Sequence, residues 1–184
     1  MFELFKVKAE AVSAEVHRFH TGVQALDFIA GTLRKEGISD TPSCWAVWSD
    51  GPLRREAERQ GLAARIPGLH LEVTRERAAG SKVGISEFDW AIADTGTLAQ
   101  DATRPDKRLV STLTETHLAV VRTGSLLPDF SSLLARVDPS RMRYLACVTG
   151  PSRTADIERV LTIGVHGPRR LLVVAIDEEW GVDA

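Results

Sequence analysis

Apolar residues recur along this chain with two spacings, one typical of helices and one typical of strands. Near the start, Phe2, Phe5, Ala9 and Val12 lie three or four residues apart, which predicts a helix with one buried face. Apolar spacing, helix-forming residues and a capped turn predict further helices at 23–33, 53–65, 129–137 and 154–162. Compact apolar or alternating runs predict strands at 16–19, 44–48, 69–73, 88–93, 117–121, 144–148 and 171–176, with a short strand near Leu98.

Two polar segments between these elements predict a turn and a loop. Residues 94–97 contain Gly96, and glycine permits a tight turn between two strands. Residues 101–108 are polar and contain Pro105, which predicts a loop.

The order of the predicted elements indicates the fold class. Short, nearly continuous apolar strands that alternate with helices are typical of a parallel sheet buried on both faces. We therefore predict an α/β fold of three layers, in which a mostly parallel sheet carries helices on both faces. With domains of about 150 residues as the norm, the 184 residues predict a single domain spanning 1–184.

Composition and charge narrow the range of functions. The chain has two isolated cysteines, Cys44 and Cys147, so no cluster, zinc-finger or disulfide framework is indicated, and we expect no cofactor in this chain. A net charge of −2 argues against a dedicated nucleic-acid partner. The longest apolar run, 171–176, is far shorter than the ~20 residues that span a bilayer. With no signal peptide visible at the start, the expected location is the cytoplasm.

The first candidate site follows the predicted strand 88–93. Asp94 is a candidate acid or base, and the hydroxyls of Thr95 and Thr97 around Gly96 are suited to an oxygen-rich anion. The alternative is a hairpin turn in which Asp94 and Thr95 bond only their own backbone. The tripeptide Asp-Thr-Gly also occurs in aspartic proteases, but that chemistry needs two such carboxylates, and a single copy in an α/β pattern argues against it.

The second candidate site follows the predicted strand 144–148. There the sequence combines a glycine turn with polar residues at the start of a predicted helix, which indicates an anion pocket that includes free helix N–H groups. Its members are Gly150, Ser152, Arg153, Thr154, Asp156 and Glu158. The alternative is an ordinary, well-capped helix. Both candidate sites are predicted at carboxyl ends of strands, where ligands bind in open α/β sheets.

A third loop precedes the last predicted strand. His166 lies between Gly164 and Gly167 and is a candidate hydrogen-bond donor or general base. The alternative is a surface histidine. His17 and His20 are three apart on a predicted strand and face opposite sides, so no metal site is predicted. The chain also lacks a phosphate-binding Walker loop and a dinucleotide-binding glycine fingerprint.

Three strings in this order, Gly84–Leu98, Gly150–Glu158 and Gly164–Arg170, closely resemble the lactate utilisation protein C family, the stand-alone form of the LUD domain. The resemblance runs from about Glu10 through most of the chain, and its specific parts are Ser-Arg-Thr-Ala-Asp-Ile-Glu and Gly-Val-His-Gly-Pro. It implies a fold like that of ribose-5-phosphate isomerase, glucosamine-6-phosphate deaminase and CoA transferases. The matching positions expected to line a site are Asp94, Thr95, Gly96, Thr97, Ser152, Arg153, Thr154, Asp156, Glu158 and His166.

The resemblance also implies a function. The chain is expected to take part in oxidising L-lactate to pyruvate as a substrate-binding or organising subunit, beside partner proteins that carry iron–sulfur clusters. Its ligand would then be a small carboxylate or another anion. The alternative is a stand-alone enzyme of the CoA-transferase, sugar-phosphate isomerase or folate cyclo-ligase type, in which Asp94 or Glu158 acts as nucleophile or base.

Overall fold

A computed structural model describes residues 1–155, 161–164 and 166–178 of the chain. Asp156 and Glu158, two of the predicted site residues, lie outside the described residues. The helices of the described part are α1 (Phe2–Ala11), α2 (Gly22–Lys35), α3 (Pro52–Arg59), α4 (Leu62–Arg65), α5 (Arg75–Ala79), α6 (Pro105–Leu113) and α7 (Phe130–Leu134). Its strands are β1 (Ala14–Phe19), β2 (Trp45–Trp48), β3 (Leu69–His70), β4 (Ser81–Phe88), β5 (Trp90–Ile92), β6 (Thr97–Asp101), β7 (Thr116–Arg122), β8 (Leu126–Leu127), β9 (Leu145–Val148), β10 (Arg153–Ala155), β11 (Leu161–Ile163) and β12 (Arg170–Ile176).

The central sheet has the strand order β1-β12-β7-β4-β2-β3, and each neighbouring pair is parallel. Its inner strands are buried along nearly their whole length, as the apolar runs of the sequence predict. The register places Gly84 of β4 and Leu171 of β12 on either side of His117 in β7. Because the inner strands are buried on both sides, both faces of the sheet are apolar and are covered by other elements.

Helices α2, α3 and α4 cover one face of the central sheet. Leu33, Leu53 and Leu62 from these helices join the sheet residues Trp48 and Ile85 in one buried cluster. Alternation along the strands directs the neighbouring residue Val47 to the opposite face, where it packs with Ala78 of α5 and Val110 of α6.

A second sheet shares that opposite face with α1, α5 and α6. Its strand order is β8-β5-β6-β9, and β6 runs antiparallel to both of its neighbours. Leu98 of β6 and Phe5 of α1 pack with Ala119 and Val173 of the central sheet. Helix α7 covers the outer side of this small sheet through Leu133. The sequence pattern did not predict the small sheet as a separate layer.

Local sequence determines where helix α2 begins and ends. The hydroxyl of Thr21 accepts a hydrogen bond from the Gln24 N–H, and the Gln24 side chain accepts one from the Thr21 N–H in return. Gly37, with a φ of +73°, follows the last turn in the left-handed conformation that glycine adopts without strain.

Four predicted elements differ from the structure. Residues 105–108 are the first turn of α6 rather than a loop, because proline at the first helical position has the required φ and needs no hydrogen-bond partner. The predicted helix 53–65 is divided into α3 and α4 at Gly61, which has a left-handed φ of +66°. The predicted strand 88–93 is divided between the end of β4 and β5, and β4 itself was missed because Gly84, Ser86 and Glu87 interrupt its apolar pattern.

The fourth difference concerns the predicted helix 154–162. The backbone at Arg153–Ala155 and Leu161–Ile163 instead forms the antiparallel strands β10 and β11. The prediction of helix N–H groups that bind an anion beside Ser152 and Arg153 is therefore wrong. The predicted α/β class, with a mostly parallel sheet and helices on both faces, is confirmed. In the described part of the chain, we find no helix with the length and apolar composition needed to cross a membrane.

Gly84 provides a test of the packing between β4 and α6. A Cβ atom at this position would lie 2.6 Å from Thr114 Oγ1 and 2.9 Å from Val110 Cγ1. We expect Gly84→Ala to lower the free energy of unfolding by about 1–3 kcal/mol because it overpacks this contact. Urea denaturation measures the change.

Gly31→Ala is the matched control for that experiment. Gly31 lies in α2 and has no atom within 4 Å of an added Cβ, so the substitution is expected to leave stability unchanged or raise it slightly. Equal effects of the two substitutions would contradict the packing described for β4.

Candidate functional site

The motif residues 149–153 and 166–168 meet around one cavity of about 280 Å³. We call it the amino-edge cavity, and its polar wall includes Ser111, His117, Cys147, Thr149, Ser152, Arg153 and His166. His117 and Leu171, which also line it, are the second residues of β7 and β12, so the cavity lies at the amino ends of these central strands.

Backbone hydrogen bonds hold the two motif segments together. The Ser152 N–H donates to the Pro168 carbonyl at 2.8 Å, and the Gly164 N–H donates to the Ser152 carbonyl at 2.9 Å. A Cβ at Gly167 would lie 3.0 Å from Ser152 Cβ, so glycine permits this close approach. The geometry of the cavity is therefore set mainly by backbone contacts.

Arg153 is anchored to the loop between α1 and β1. Its Nη2 donates to the Val12 carbonyl at 2.9 Å and to Ser13 Oγ at 2.6 Å. Gly150 approaches the same loop, since a Cβ there would lie 2.4 Å from the Val12 oxygen, and its φ of +72° favours glycine. The described hydrogen bonds of Arg153 do not use Nε or Nη1, so these groups can donate to a ligand.

His117 is the buried member of the cavity wall. Its Nε2 lies 2.8 Å from Ser86 Oγ, and both side chains are almost completely buried. Burial disfavours the imidazolium ion and lowers the pKa of His117 from 6.5 to about 4. A neutral imidazole at pH 7 can accept a hydrogen bond or a proton.

His166 and Gly167 also line a second cavity of about 500 Å³. Glu115, Gly164 and Arg169 contribute to its wall. His166 is exposed to solvent between the two cavities. His166 and Gly167 therefore contribute to two polar cavities at the same edge of the central sheet.

The residues of the Asp-Thr-Gly string are distributed differently. Asp94 and Thr95 are exposed in the turn between β5 and β6 and do not line the amino-edge cavity. Gly96 packs against α1, where a Cβ would lie 2.3 Å from the Ala9 nitrogen. Thr97 reaches the cavity indirectly, because its Oγ1 lies 2.8 Å from Oγ1 of Thr149.

The structure thus brings together part of the predicted set. Gly150, Ser152, Arg153, His166 and Gly167 line one cavity, whereas Asp94 lies apart from it. Thr154 follows in β10, where its backbone is described. Both predicted segments follow the carboxyl ends of strands, β5 and β9, but these strands belong to the small sheet and not to the central parallel sheet.

Ser86 and His117 were not predicted as members of a site. Both interrupt strands that are otherwise apolar, and this interruption was the available signal. A polar side chain within a buried strand needs a hydrogen-bond partner, which each provides for the other. Among the residues that the structure describes, no group of three or more His, Cys, Asp or Glu side chains is arranged to hold a metal ion.

Fold and cavity together define an α/β protein with a parallel central sheet and a small polar cavity at its amino edge. A sequence model described as the LUD domain matches residues 2–176. The chain therefore belongs to the LUD domain family, as its three sequence strings predicted.

Several proteins named lactate utilization protein C are similar in sequence to this chain. Lactate utilization protein C of Geobacillus sp. (strain WCH70) is 29% identical over 194 residues, which cover 92% of this chain and 78% of that protein. The proteins of the same name from Exiguobacterium sp. (strain ATCC BAA-1283 / AT1b) and Macrococcus caseolyticus (strain JCSC5402) are 33% and 32% identical over 116 and 108 residues. These two matches cover 58% and 55% of this chain and 49% and 47% of the relatives, so the chain spans about half their length.

A solved structure shows the same fold. The crystal structure of a DUF162 family protein from Deinococcus radiodurans superposes with a TM-score of 0.56 at 18% identity. The match covers 95% of each chain.

The buried His117 predicts that acid destabilises the fold. Between pH 6.5 and about 4 the unfolded chain binds a proton at His117 that the folded chain does not. The free energy of unfolding therefore falls as the pH is lowered through this range, by about 3 kcal/mol when the change is complete. Urea denaturation at several pH values measures this slope.

His117→Gln should reduce the slope, because glutamine does not titrate. Thr95→Ser is the control, since Thr95 is exposed and neither residue titrates, so the slope should stay unchanged. The same slope in His117→Gln as in the unmodified chain would show that another group is responsible.

Proposed function

We propose that this chain serves in lactate utilisation as a substrate-binding or organising subunit that binds a small carboxylate in the amino-edge cavity. The observation that carries the proposal is the meeting of the two family motifs, 150–153 and 166–168, around that one cavity. The names of its relatives, lactate utilization protein C, support the metabolic role.

The polar wall of the cavity suits a carboxylate. Arg153 presents a guanidinium group, whose planar arrangement of N–H donors matches a carboxylate. Ser152 and His166 add further hydrogen-bonding groups on the same wall. A volume of about 280 Å³ admits an acid of three or four carbon atoms with a few water molecules.

His117 extends the proposal to the hydroxyl group of a hydroxy acid. Its imidazole is neutral at pH 7 and lies in the cavity wall, where it can accept a hydrogen bond from the ligand. Its hydrogen bond with Ser86 holds the ring in place. The cavity thus combines donors for a carboxylate with one acceptor for a hydroxyl group.

Oxidation of lactate to pyruvate releases two electrons, which a partner must accept. The chain has only two cysteines, Cys44 and Cys147, whereas an iron–sulfur cluster is usually held by four cysteine thiolates. We therefore place the clusters on partner proteins, the iron–sulfur oxidoreductase subunits of the same system. In this proposal the chain binds or positions the acid while its partners transfer the electrons.

Substitution of the cavity wall tests ligand binding. Arg153→Gln and His166→Gln are each expected to weaken the binding of L-lactate or pyruvate, the arginine variant by about tenfold or more, because a charged hydrogen-bond donor is lost. Titration followed by isothermal calorimetry or NMR measures the affinity. Arg141→Gln is the matched control, because Arg141 is exposed and does not line the cavity.

Purified components test the metabolic role. The chain should co-purify with the iron–sulfur oxidoreductase proteins of its source organism and increase their lactate-dependent reduction of an electron-accepting dye. Arg153→Gln should reduce that stimulation. Stabilisation of the chain by acyl-CoA or a sugar phosphate in a thermal-shift screen, with no response to lactate or pyruvate, would contradict the proposal and favour a stand-alone enzyme.

A further inference from the structure

The path of the chain creates a crevice at the opposite, carboxyl edge of the central sheet. Strand β2 leads into α3 on one face, whereas its neighbour β4 leads into β5 on the other face. The two connections diverge from adjacent strand ends. In open α/β sheets a crevice of this kind is the usual position of a ligand site.

A cleft of about 160 Å³ occupies this position. We call it the carboxyl-edge cleft, and its charged lining consists of Asp50, Glu87, Asp89, Lys107 and Arg122. Glu87 and Asp89 lie within the family string Gly84–Leu98, but none of the five residues was a predicted site residue and none lines the amino-edge cavity.

Glu87 is the buried carboxylate of the cleft. It lies at the end of β4 with 9% of its surface exposed. Its Oε2 accepts a hydrogen bond from the Leu53 N–H at 3.0 Å, and its Oε1 accepts one from the Arg54 N–H at 2.9 Å. Each carboxylate oxygen can accept a second hydrogen bond, so Glu87 can still bind a hydroxyl group in the cleft.

Gly51 makes this arrangement possible. A Cβ at position 51 would lie 2.4 Å from the Cδ atom of Glu87, so any other residue would displace the carboxylate. Burial raises the pKa of Glu87, against the two backbone N–H groups and Lys107, which lower it. The chain therefore holds a carboxyl group inside the sheet edge at an energetic cost.

Lys107 is the cation beside this carboxylate. It extends from α6 with only 16% of its side chain exposed, and its Nζ lies 3.8 Å from Asp89 Oδ2. At that distance the ammonium group makes no direct hydrogen bond to Asp89, so its donors are available to a ligand. Asp50 is neutralised separately, because Arg54 and Arg55 bond to it at 2.9 and 3.2 Å.

We propose that the carboxyl-edge cleft is a second ligand site, which binds a small hydroxycarboxylate through Lys107 and Glu87. The ammonium group of Lys107 binds the carboxylate of the ligand, and Glu87 accepts a hydrogen bond from its hydroxyl group. The cleft is smaller than the roughly 300–1,000 Å³ typical of pockets for larger ligands, so its size favours a small acid over a nucleotide or coenzyme A. Carboxylates at Asp50, Glu87 and Asp89 disfavour a phosphate dianion, which carries one more negative charge than a monocarboxylate.

Backbone NMR of the full chain tests this site with L-lactate and glycolate as probes. Both acids should shift the amide signals of Gly51, Leu53 and Arg54, since the last two donate to Glu87. Propionate, which lacks the hydroxyl group, should bind about tenfold more weakly at these signals. Equal affinity for propionate, or a stronger response to inorganic phosphate, would overturn the assignment.

Two substitutions at Lys107 distinguish the contribution of its charge to ligand affinity from that of its aliphatic chain. Lys107→Met retains the aliphatic part of the side chain and should weaken binding about tenfold or more, whereas Lys107→Arg should retain most of it. Lys8→Met is the matched control, because Lys8 is exposed on α1. Unchanged affinity in a folded Lys107→Met variant would overturn the proposal.

The two sites are distinguishable in the same titration. Shifts at Gly51, Leu53 and Arg54 that persist in Arg153→Gln support the carboxyl-edge site independently of the proposed function. Shifts confined to Gly150 and Gly167 would overturn this inference and support the amino-edge cavity. Shifts confined to the carboxyl-edge cleft would support this inference and count against the cavity assignment.

Discussion

The central parallel sheet requires apolar cover on both of its faces, and the rest of the structure follows from this requirement. Strands such as β12 are buried on both sides, so neither face tolerates water. Helices α2, α3 and α4 cover one face, and α1, α5, α6 and the small sheet cover the other. The connections to this second layer also bring the motif residues to the amino ends of β7 and β12.

The same architecture places polar groups at both ends of the sheet. At the amino edge, backbone bonds between Ser152 and Pro168 hold two loops around a cavity that contains Arg153 and His117. At the carboxyl edge, divergent connections leave a cleft that contains Glu87 and Lys107. The two sites differ in charge, since carboxylates predominate only in the cleft. An α/β sheet offers such positions because the loops that leave its strand ends can diverge to opposite faces.

Much of the fold could be predicted because burial leaves periodic signals. Helix α2 has an apolar stripe, a cap at Thr21 and a terminating Gly37, and its prediction is confirmed. Strand β4 was not predicted because small and polar residues interrupt its apolar pattern. Each of them is buried against a specific partner: Gly84 against α6, Ser86 against His117 and Glu87 against α3. Those partners are distant in sequence, so local spacing carries no sign of them.

By itself, the sequence determined the α/β class, the family and the composition of the motif loops, because each depends on local periodicity or on residues adjacent in the chain. Only the tertiary structure decided that Arg153 and His166 share a cavity while Asp94 lies apart from it. It also decided that Glu87, which was not predicted as a site residue, is a buried carboxylate beside Lys107. The physical reason is that hydrogen bonding and desolvation depend on neighbours in space, and the packing of the two layers on the central sheet selects those neighbours.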